Sequence, residues 1–333
     1  MGQLPFEKRS KEIYIKKECE TDWNYGQNPN ERSVKELLDF GIINLNKQQG
    51  PSSHQISDYV KRVLHVNKAG HSGTLVNFWG NPNVTGVLPV ALGRATRIVL
   101  SLLKSGKEYI CLMHLHDDVS ISKIHKTMGS FVGKIRQTPP LKSAVKKEER
   151  EREIYYLEIL EIKDKDVLFK VGCQAGTYIR TLCIAIGREL GTRAHMQQLI
   201  RTKAGAFTEK DWVNLFELKD AYEFYLQGNE KEIRKVILPI ERAVEHLPKI
   251  WIMDNSVDAL CHGIDLNIPG ICKLNKFEKD ELVAVMTLKD ELVAIGKAVL
   301  NSDDVLKEEK GKVVNVHKVY MKAEVYPHVK RNI

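Results

Sequence analysis

The segment Gly70–Arg97 reads GHSGTLVNFWGNPNVTGVLPVALGRATR, and it decides how the rest of the chain is interpreted. Glycines such as Gly73 and Gly86 allow backbone conformations that other residues rarely adopt. Hydrogen-bonding side chains lie close to them at His71 and Thr74. Because long loops inside compact domains usually carry function, the segment predicts a functional loop that runs into a buried strand.

Hydrophobic periodicity on both sides of this segment predicts an α+β fold. The predicted strands cover 41–47, 85–92, 107–116 and 167–176, and the predicted helices cover 54–66, 121–133 and 177–191. Ser52 or Ser53 is a plausible N-cap of the first helix in this set. The elements follow no regular βαβ period, which favours a mixed and largely antiparallel sheet.

The C-terminal part of the chain has a different pattern. From Lys249 to Tyr320, short apolar segments alternate with turns, as in a small β-barrel. The near repeat KDELVAVMTLKDELVAIGKA at 279–298 predicts a hairpin of two similar strands. A second, smaller domain is therefore expected after a polar helical segment at 223–235.

The composition fits a globular protein of two domains that meets a polyanion. The chain has 333 residues, of which 43% are hydrophobic and 28% charged, so a sizeable core is available. Its formal net charge is +8. This excess fits contact with RNA or DNA, although an ordinary protein with a basic surface would show it as well.

The sequence lacks the features of membrane and secreted proteins. No apolar run approaches the roughly 20 residues of a membrane span, and the N-terminus has no apolar signal-peptide core. The six cysteines form no CxxC pair, so reduced and buried thiols are expected in place of a zinc site. These features predict a cytoplasmic protein without a metal.

One further segment carries basic side chains directly after a pair of prolines. Lys142, Lys146 and Lys147 follow the extended Pro139–Pro140 pair, and we predict that they contact phosphates. The alternating charges at 148–153 are interpreted as a solvated face.

Two further motifs place functional side chains at the start of a helix and before a glycine turn. GTYIRTL at 176–182 places Tyr178 and Arg180 at a helix start, and an arginine there suits a bidentate pair with a carboxylate. AHMQQLIRTKAGAF at 194–207 places Arg201 and Lys203 just before a glycine turn.

These segments occur in the order found in the TruB/dyskerin family of pseudouridine synthases, which the chain resembles from about Glu12 to Tyr326. The family-like motifs are KxxG with SSH, GHSGTL with VTGVLPVALGRATR, GKEY, QTPPLKSAVK, GTYIR and LIRTKAGAF. The segment DNSVDALCHGIDLNIPGICKL and the hairpin after it resemble a PUA domain, an RNA-binding β-barrel. The chain is more similar to the archaeal dyskerin-like catalytic subunits of H/ACA guide-RNA particles than to the bacterial stand-alone tRNA enzyme.

The resemblance implies RNA-guided isomerisation of uridine to pseudouridine in rRNA or tRNA. The target uridine is flipped out of the RNA, and an Asp attacks its ribose. By resemblance, Tyr109 stacks on the base and removes its C5 proton, Tyr178 closes the pocket floor, Arg180 pairs with the Asp, and Leu199 packs on the base. No metal or organic cofactor is implied. The implied partners are an H/ACA guide RNA, the substrate RNA and the small proteins of the particle, without a membrane.

The resemblance also implies a division into domains and a set of RNA contacts. The expected parts are an N-terminal arm at 1–35 that packs on the rest, a catalytic domain at 36–247, a PUA-like domain at 248–326 and a tail at 327–333. The expected RNA contacts are His71, Thr74, Lys142, Lys146, Lys147, Arg201, Lys203, His262, Gly263, Pro269 and Gly270. For His262, a half-buried turn histidine is an equal alternative.

The chain departs from the family at the nucleophile. The family loop reads GHxGTLDP, whereas here residues 76–80 intervene and Asn81 aligns with the Asp. Phe78 and Trp79 in this insertion could stack on a base, be a chance insertion, or reflect an altered gene sequence. Because asparagine has no carboxylate, a catalytically impaired RNA-binding scaffold of the same particle is the alternative function. A general nucleic-acid-binding protein that uses only the barrel is a third hypothesis.

Overall fold

The computed structural model describes residues 2–75, 84–139 and 146–328. Within these ranges the strands are β1 Ile13–Ile15, β2 Gly41–Lys47, β3 Ala69–His71, β4 Val84–Leu92, β5 Lys107–Leu115, β6 Gly133–Gln137, β7 Arg150–Lys163, β8 Asp166–Cys173, β9 Ala194–Ala204, β10 Phe207–Thr208, β11 Leu238–Pro239, β12 Lys249–Ile252, β13 Leu266–Asn267, β14 Ile271–Asn275, β15 Leu282–Thr287, β16 Leu292–Ala298 and β17 Lys312–Val319.

The helices lie between these strands. They are α1 Val34–Phe40, α2 Ser53–Val63, α3 Val99–Lys104, α4 Ile121–Ser130, α5 Ile179–Glu189, α6 Leu215–Leu226, α7 Ile233–Val236, α8 Asp254–Cys261 and α9 Ser302–Lys307. Ser52 is the N-cap of α2, where its hydroxyl accepts from the Gln55 N–H. In the described part of the chain, no helix has the length and apolar character that crossing a bilayer requires.

The chain forms two compact units. The first unit contains the N-terminal residues up to Lys8 and the segment Ile43–Val236. The second contains Arg9–Ile42 and the chain from Ile237 onward. The domain boundaries expected from the sequence at 35, 247 and 326 stay a prediction.

The first unit is built on a mixed sheet that confirms the α+β class. Its strands run in the order β2-β4-β9-β5-β8-β7-β6, and β3 and β10 pair at the side with β4 and β9. Strand β9 is parallel to β4 and antiparallel to β5, and β5, β8, β7 and β6 are antiparallel to their neighbours. The centre of the first unit is therefore the group β4, β9 and β5.

Helix α5 covers one face of this central group. Its buried stripe includes Ile179, Leu182 and Ile186, as the helical spacing predicts. The Cys183 Sγ lies 3.6 Å from the Cys111 Sγ of β5, with both thiols fully buried. The start of α5 is thereby fixed over the same sheet face that carries the odd-numbered side chains of β5.

The second unit contains a seven-stranded sheet of order β1-β14-β12-β15-β16-β17-β13. The predicted hairpin at 279–298 is confirmed, since β15 pairs antiparallel with β16. Asp290 in its turn adopts a φ of +64°, a conformation that aspartate tolerates better than most residues. Buried aliphatic residues such as Ile250, Leu274, Val285 and Val314 form the core of this unit.

The two long strands β7 and β9 are among the strands of the first unit that the sequence did not predict. Strand β9 was expected only as a segment with basic residues, yet it lies at the centre of the sheet. The charged run at 148–153 was interpreted as a solvated face, and its residues from Arg150 onward begin the 14-residue strand β7. Glu151 and Glu153 in β7 are exposed, so the charges are solvated while Ile154 and Tyr156 of the same strand are buried.

Candidate active site

The pairing of β4, β9 and β5 brings the predicted catalytic side chains to one place. Arg201 of β9 lies opposite Tyr109 of β5 on one side and opposite Gly86 of β4 on the other. Leu199, two residues earlier in β9, lies opposite Cys111 and Val84. Because residues two apart in a strand share a face, Tyr109, Leu199 and Arg201 line one patch of the sheet.

Arg201 is the most deeply buried charged group of this patch. Its exposed fraction is 2%, and its Nε donates to the Val87 carbonyl at 2.7 Å. Tyr109 lies opposite Arg201 in the strand register; burial raises the pKa of the Tyr109 hydroxyl, and the positive charge of Arg201 acts against this rise. Burial argues against the surface contact with RNA that we predicted for Arg201, because the guanidinium lies beneath the loop that contains Gly73.

Two polar side chains hold the described ends of the loop Gly70–Gly86. The N–H of Leu75 donates to the Ser53 Oγ at 2.9 Å. At the other end, the Lys47 ammonium donates to the carbonyls of Val84 at 3.1 Å and Gln48 at 3.0 Å. Burial, and then the nearby charge of Arg201, lower the pKa of Lys47. Asn81, aligned with the family's nucleophile, falls in 76–83 and lies outside the described residues.

His71 and Thr74 occupy the described start of the same loop. The half-buried His71 ring packs edge-on against His54 with 4.7 Å between ring centroids, and its Nδ1 lies 3.2 Å from the Gly73 carbonyl. Burial, followed by the proximity of His54, lowers the pKa of His71. The Thr74 side chain is exposed. Contact of both residues with RNA stays a prediction.

Gln137 fixes the start of α5. Its Oε1 accepts from the Tyr178 N–H at 3.0 Å, and its Nε2 donates to the Tyr178 carbonyl at 3.2 Å. Arg180 is the second residue of the helix and is half-buried. Within the ranges that the structure describes, no ion pair or hydrogen bond involves the Arg180 guanidinium, which leaves it available for a carboxylate.

The predicted lysine contacts fall into different environments. Lys203 is paired internally, with its Nζ 2.8 Å from Glu7 Oε1 and 3.6 Å from Glu108 Oε2. Lys146 and Lys147 are exposed, and Lys146 pairs with Glu148. Lys142 lies outside the described residues. The exposed pair retains the accessibility that a phosphate contact requires, whereas Lys203 would first have to leave its two carboxylates.

The predicted RNA contacts of the second unit cluster at the end of α8 and in the turn before β14. The His262 side chain is 54% exposed, and its Nδ1 lies 2.9 Å from the Asp258 carbonyl. Gly263 follows with a φ of +84°. Pro269 and Gly270 form a short 3₁₀ turn, in which Pro269 is exposed. His262 is therefore accessible and also bonded within its own turn, and its contact with RNA stays a prediction.

Four polar residues shape the site through backbone contacts that the sequence analysis did not predict. They are Lys47, Ser53, Lys107 and Gln137. All four are letters of the motifs KxxG, SSH, GKEY and QTPP, so the motifs contained the signal. Lys107 donates to the carbonyls of Leu102 at 2.8 Å and Ser105 at 2.6 Å at the end of α3, and burial lowers its pKa to about 7. Their common role is to hold backbone carbonyls or N–H groups beside the patch.

Family models match nearly the whole chain. The TruB family pseudouridylate synthase N-terminal domain matches residues 61–122 and 116–179, and the tRNA pseudouridylate synthase B C-terminal domain matches 180–245. A PUA domain matches 248–320, and a DKCLD (NUC011) domain matches 2–57.

Relatives and solved structures agree with these models. A probable tRNA pseudouridine synthase B of Methanocaldococcus jannaschii is 50% identical over 320 residues, which cover 96% of this chain and 94% of the relative. A Nanoarchaeum equitans protein of the same description is 49% identical over 97% of this chain and 92% of its own.

The crystal structure of a Cbf5-Nop10-Gar1 complex contains a chain with a TM-score of 0.92 and 50% identity, covering 98% of this chain and 99% of that one. An H/ACA RNP bound to a substrate RNA containing 2′-deoxyuridine contains a chain with a TM-score of 0.89 and 47% identity, at the same coverage.

Proposed function

Since this chain belongs to the TruB family of pseudouridylate synthases, we propose that it isomerises uridine to pseudouridine in rRNA or tRNA as the catalytic subunit of an H/ACA guide-RNA particle. One observation of the structure carries the proposal. The register of β4, β9 and β5 gathers Tyr109, Leu199 and Arg201 on the sheet face where the loop Gly70–Gly86 returns to the sheet. This patch has the polar and apolar groups that a flipped base needs.

Four side chains in or beside the patch have distinct proposed roles. The ring of Tyr109 stacks on the flipped base, and the side chain of Leu199 packs against it. Tyr178 closes the pocket from the start of α5, where Gln137 holds its backbone. Arg180 orients the group that attacks the ribose, because its guanidinium has no acidic partner within the described residues.

The partners follow from the solved relatives. A relative with 50% identity is found with Nop10 and Gar1, and another is found in an H/ACA RNP with substrate RNA. We extend both to this chain: it works with small H/ACA proteins, a guide RNA and a substrate RNA. The cytoplasmic location expected from the sequence stays a prediction.

The scaffold alternative is not favoured. Relatives described as synthases align over 96% of the chain, including the catalytic part. A protein that had become only a scaffold would be free to lose the pocket, yet Tyr109, Tyr178, Arg180 and Leu199 are all present.

A reconstituted particle tests the function. The full chain is assembled with Nop10-like and Gar1-like proteins, a guide RNA and a labelled target, and pseudouridine is measured under single-turnover conditions. The reaction is followed over hours, because Asn81 supplies no carboxylate. We expect conversion of the guided uridine and none with a mismatched guide. A particle that binds both RNAs and forms no pseudouridine would contradict the enzyme proposal.

RNA contact by the second unit is tested separately. We expect H262E to weaken guide-RNA binding roughly tenfold at physiological salt, because a carboxylate then faces the phosphate backbone. The matched control is H317E, which changes an exposed histidine of β17 in the same unit. Binding is measured by filter retention at several salt concentrations. Equal losses in the two variants would show that the effect is one of net charge and not of local contact.

A further inference from the structure

Arg201 is a buried cation for which the structure offers no carboxylate. It is 2% exposed, and no ion pair links it to an acidic side chain in the described part of the chain. One of its terminal nitrogens, Nη2, is buried without a hydrogen-bond partner. Burying an unpaired guanidinium is strongly unfavourable, so a role in stability alone does not explain an arginine here.

The backbone around Arg201 holds its side chain in one position. The Arg201 backbone lies so close to Gly86 that a Cβ at Gly86 would be 2.2 Å from the Arg201 carbonyl oxygen. The Arg201 Nε donates to the carbonyl of Val87, which follows Gly86 in β4. Nη1 lies 3.6 Å from where a Cβ of Gly73 would be, beneath the loop. The guanidinium is thereby held between Val87 of β4 and Gly73 of the loop, and Tyr109 of β5 lies opposite Arg201 in the strand register.

Tyr109 is the acidic group that faces this charge. The other titratable groups near Arg201 are Lys47, Lys107 and His71, and its positive charge contributes to lowering the pKa of each. Burial raises the pKa of Tyr109, and the neighbouring Cys173 thiol of β8 adds to this, whereas the charge of Arg201 acts in the opposite direction. A phenolate at Tyr109 would therefore have one strong source of stabilisation.

We propose that Arg201 is a positioning residue for the isomerisation, which holds the Tyr109 hydroxyl at the pocket wall and supplies the positive charge that its oxygen faces when it accepts the C5 proton. The inference rests on the proposed function. In that step the C5–H bond breaks and its electron pair restores the C5–C6 double bond. The Tyr109 hydroxyl first gives its proton to solvent, and the resulting phenolate oxygen then forms an O–H bond with the C5 proton. The C6–N1 π electron pair moves to N1 of the base, which takes up a proton from solvent. Arg201 touches neither base nor ribose and acts through Tyr109.

The test measures ionisation of Tyr109 without requiring turnover. 3-Fluorotyrosine is placed at position 109 of the full chain, and its ¹⁹F resonance is followed against pH in wild type, R201M and R201K. We expect R201M to raise the apparent pKa of the fluorotyrosine by about one unit, because the stabilising charge is lost. R201K should stay nearer the wild-type value, because it keeps a cation at the site.

The sign of the shift separates positioning from structure. A variant that merely loosens the site admits water, which lowers the pKa of a buried phenol. A folded R201M protein with an unchanged or lowered Tyr109 pKa would therefore overturn the proposal. If R201M unfolds, R201K and R201Q carry the same comparison, with a smaller shift expected for R201K.

A second measurement ties the effect to the reaction. The pH profile of the single-turnover rate should lie at higher pH in R201M than in wild type. When R201M is added to Y109F, the pH profile of Y109F should not shift. A loss of rate that is equal at every pH and persists in Y109F would contradict the proposed action through Tyr109. A wild-type particle with no turnover would refute the proposed function, whereas the fluorotyrosine titration would still decide the role of Arg201.

Discussion

Deletion of residues 76–80 combined with N81D is expected to raise the rate of pseudouridine formation by roughly a thousandfold or more, since losing a covalent nucleophile usually costs several orders of magnitude. The variant restores the family sequence GHSGTLDP at the point where the chain departs from it. The rest of the pocket is already in place, because Ser53 and Lys47 hold Leu75 and Val84 at the two ends of the loop. Single-turnover conversion of a guided target measures the gain.

Three controls show whether the carboxylate causes the gain. Deletion alone, which leaves Asn81, should stay at the wild-type rate, and N81D alone should gain less because the inserted residues remain. In the combined variant, R180M should remove most of the gain, since the guanidinium orients the new carboxylate. If wild type and the combined variant react at the same rate, another group attacks the ribose and Asn81 is not the aligned position.

The elements around the loop were predicted well because their periodicity is uninterrupted. Strand β4 was expected at 85–92 and is Val84–Leu92, and β5 was expected at 107–116 and is Lys107–Leu115. Helix α5 was expected at 177–191 and is Ile179–Glu189. In each case a run of apolar residues at the period of one secondary structure is ended by glycine or polar residues.

Strand β9 was not predicted because its pairing is irregular. Its register with β5 shifts between Glu108 and Tyr109 and again between Leu112 and Met113, which breaks the alternation of buried and exposed residues. The buried residues of β9 include Arg201 and Thr202, which no hydrophobicity pattern would place inside. A central strand with a buried cation therefore looks like a polar segment in the sequence.

The residues proposed to contact the base were predicted by resemblance, and the residues that bond to the backbone were missed. Tyr109, Tyr178, Arg180 and Leu199 came from family motifs. Lys47 is a polar residue whose burial satisfies main-chain carbonyls, and such a partner is fixed only by the tertiary fold. The residues 76–83 and 140–145, which include Asn81 and Lys142, lie outside the described structure, and the variants above test the predicted role of Asn81.

The G86A substitution is expected to destabilise the first unit by roughly 4 kcal/mol or more, at the upper end for single changes. Gly86 adopts a φ of +102°, which a residue with a side chain takes up only with strain. An added Cβ would also lie 2.2 Å from the Arg201 carbonyl oxygen and 2.9 Å from its nitrogen. Both contacts are with backbone of the parallel pair β4–β9, which cannot rotate away as a side chain would.

The cost of the backbone strain can be measured apart from the cost of the close contact by using Gly133. Its φ is +106°, close to that of Gly86, but a Cβ there would meet no atom within 4 Å. G133A should therefore cost only the backbone strain, roughly 1–2 kcal/mol. Chemical denaturation of both variants gives the difference in the free energy of unfolding, which measures the close approach of β4 to β9. Equal destabilisation would mean that β4 and β9 can move apart at Gly86 at no cost in free energy. The inference that tight packing holds Arg201 beside Tyr109 would then be wrong.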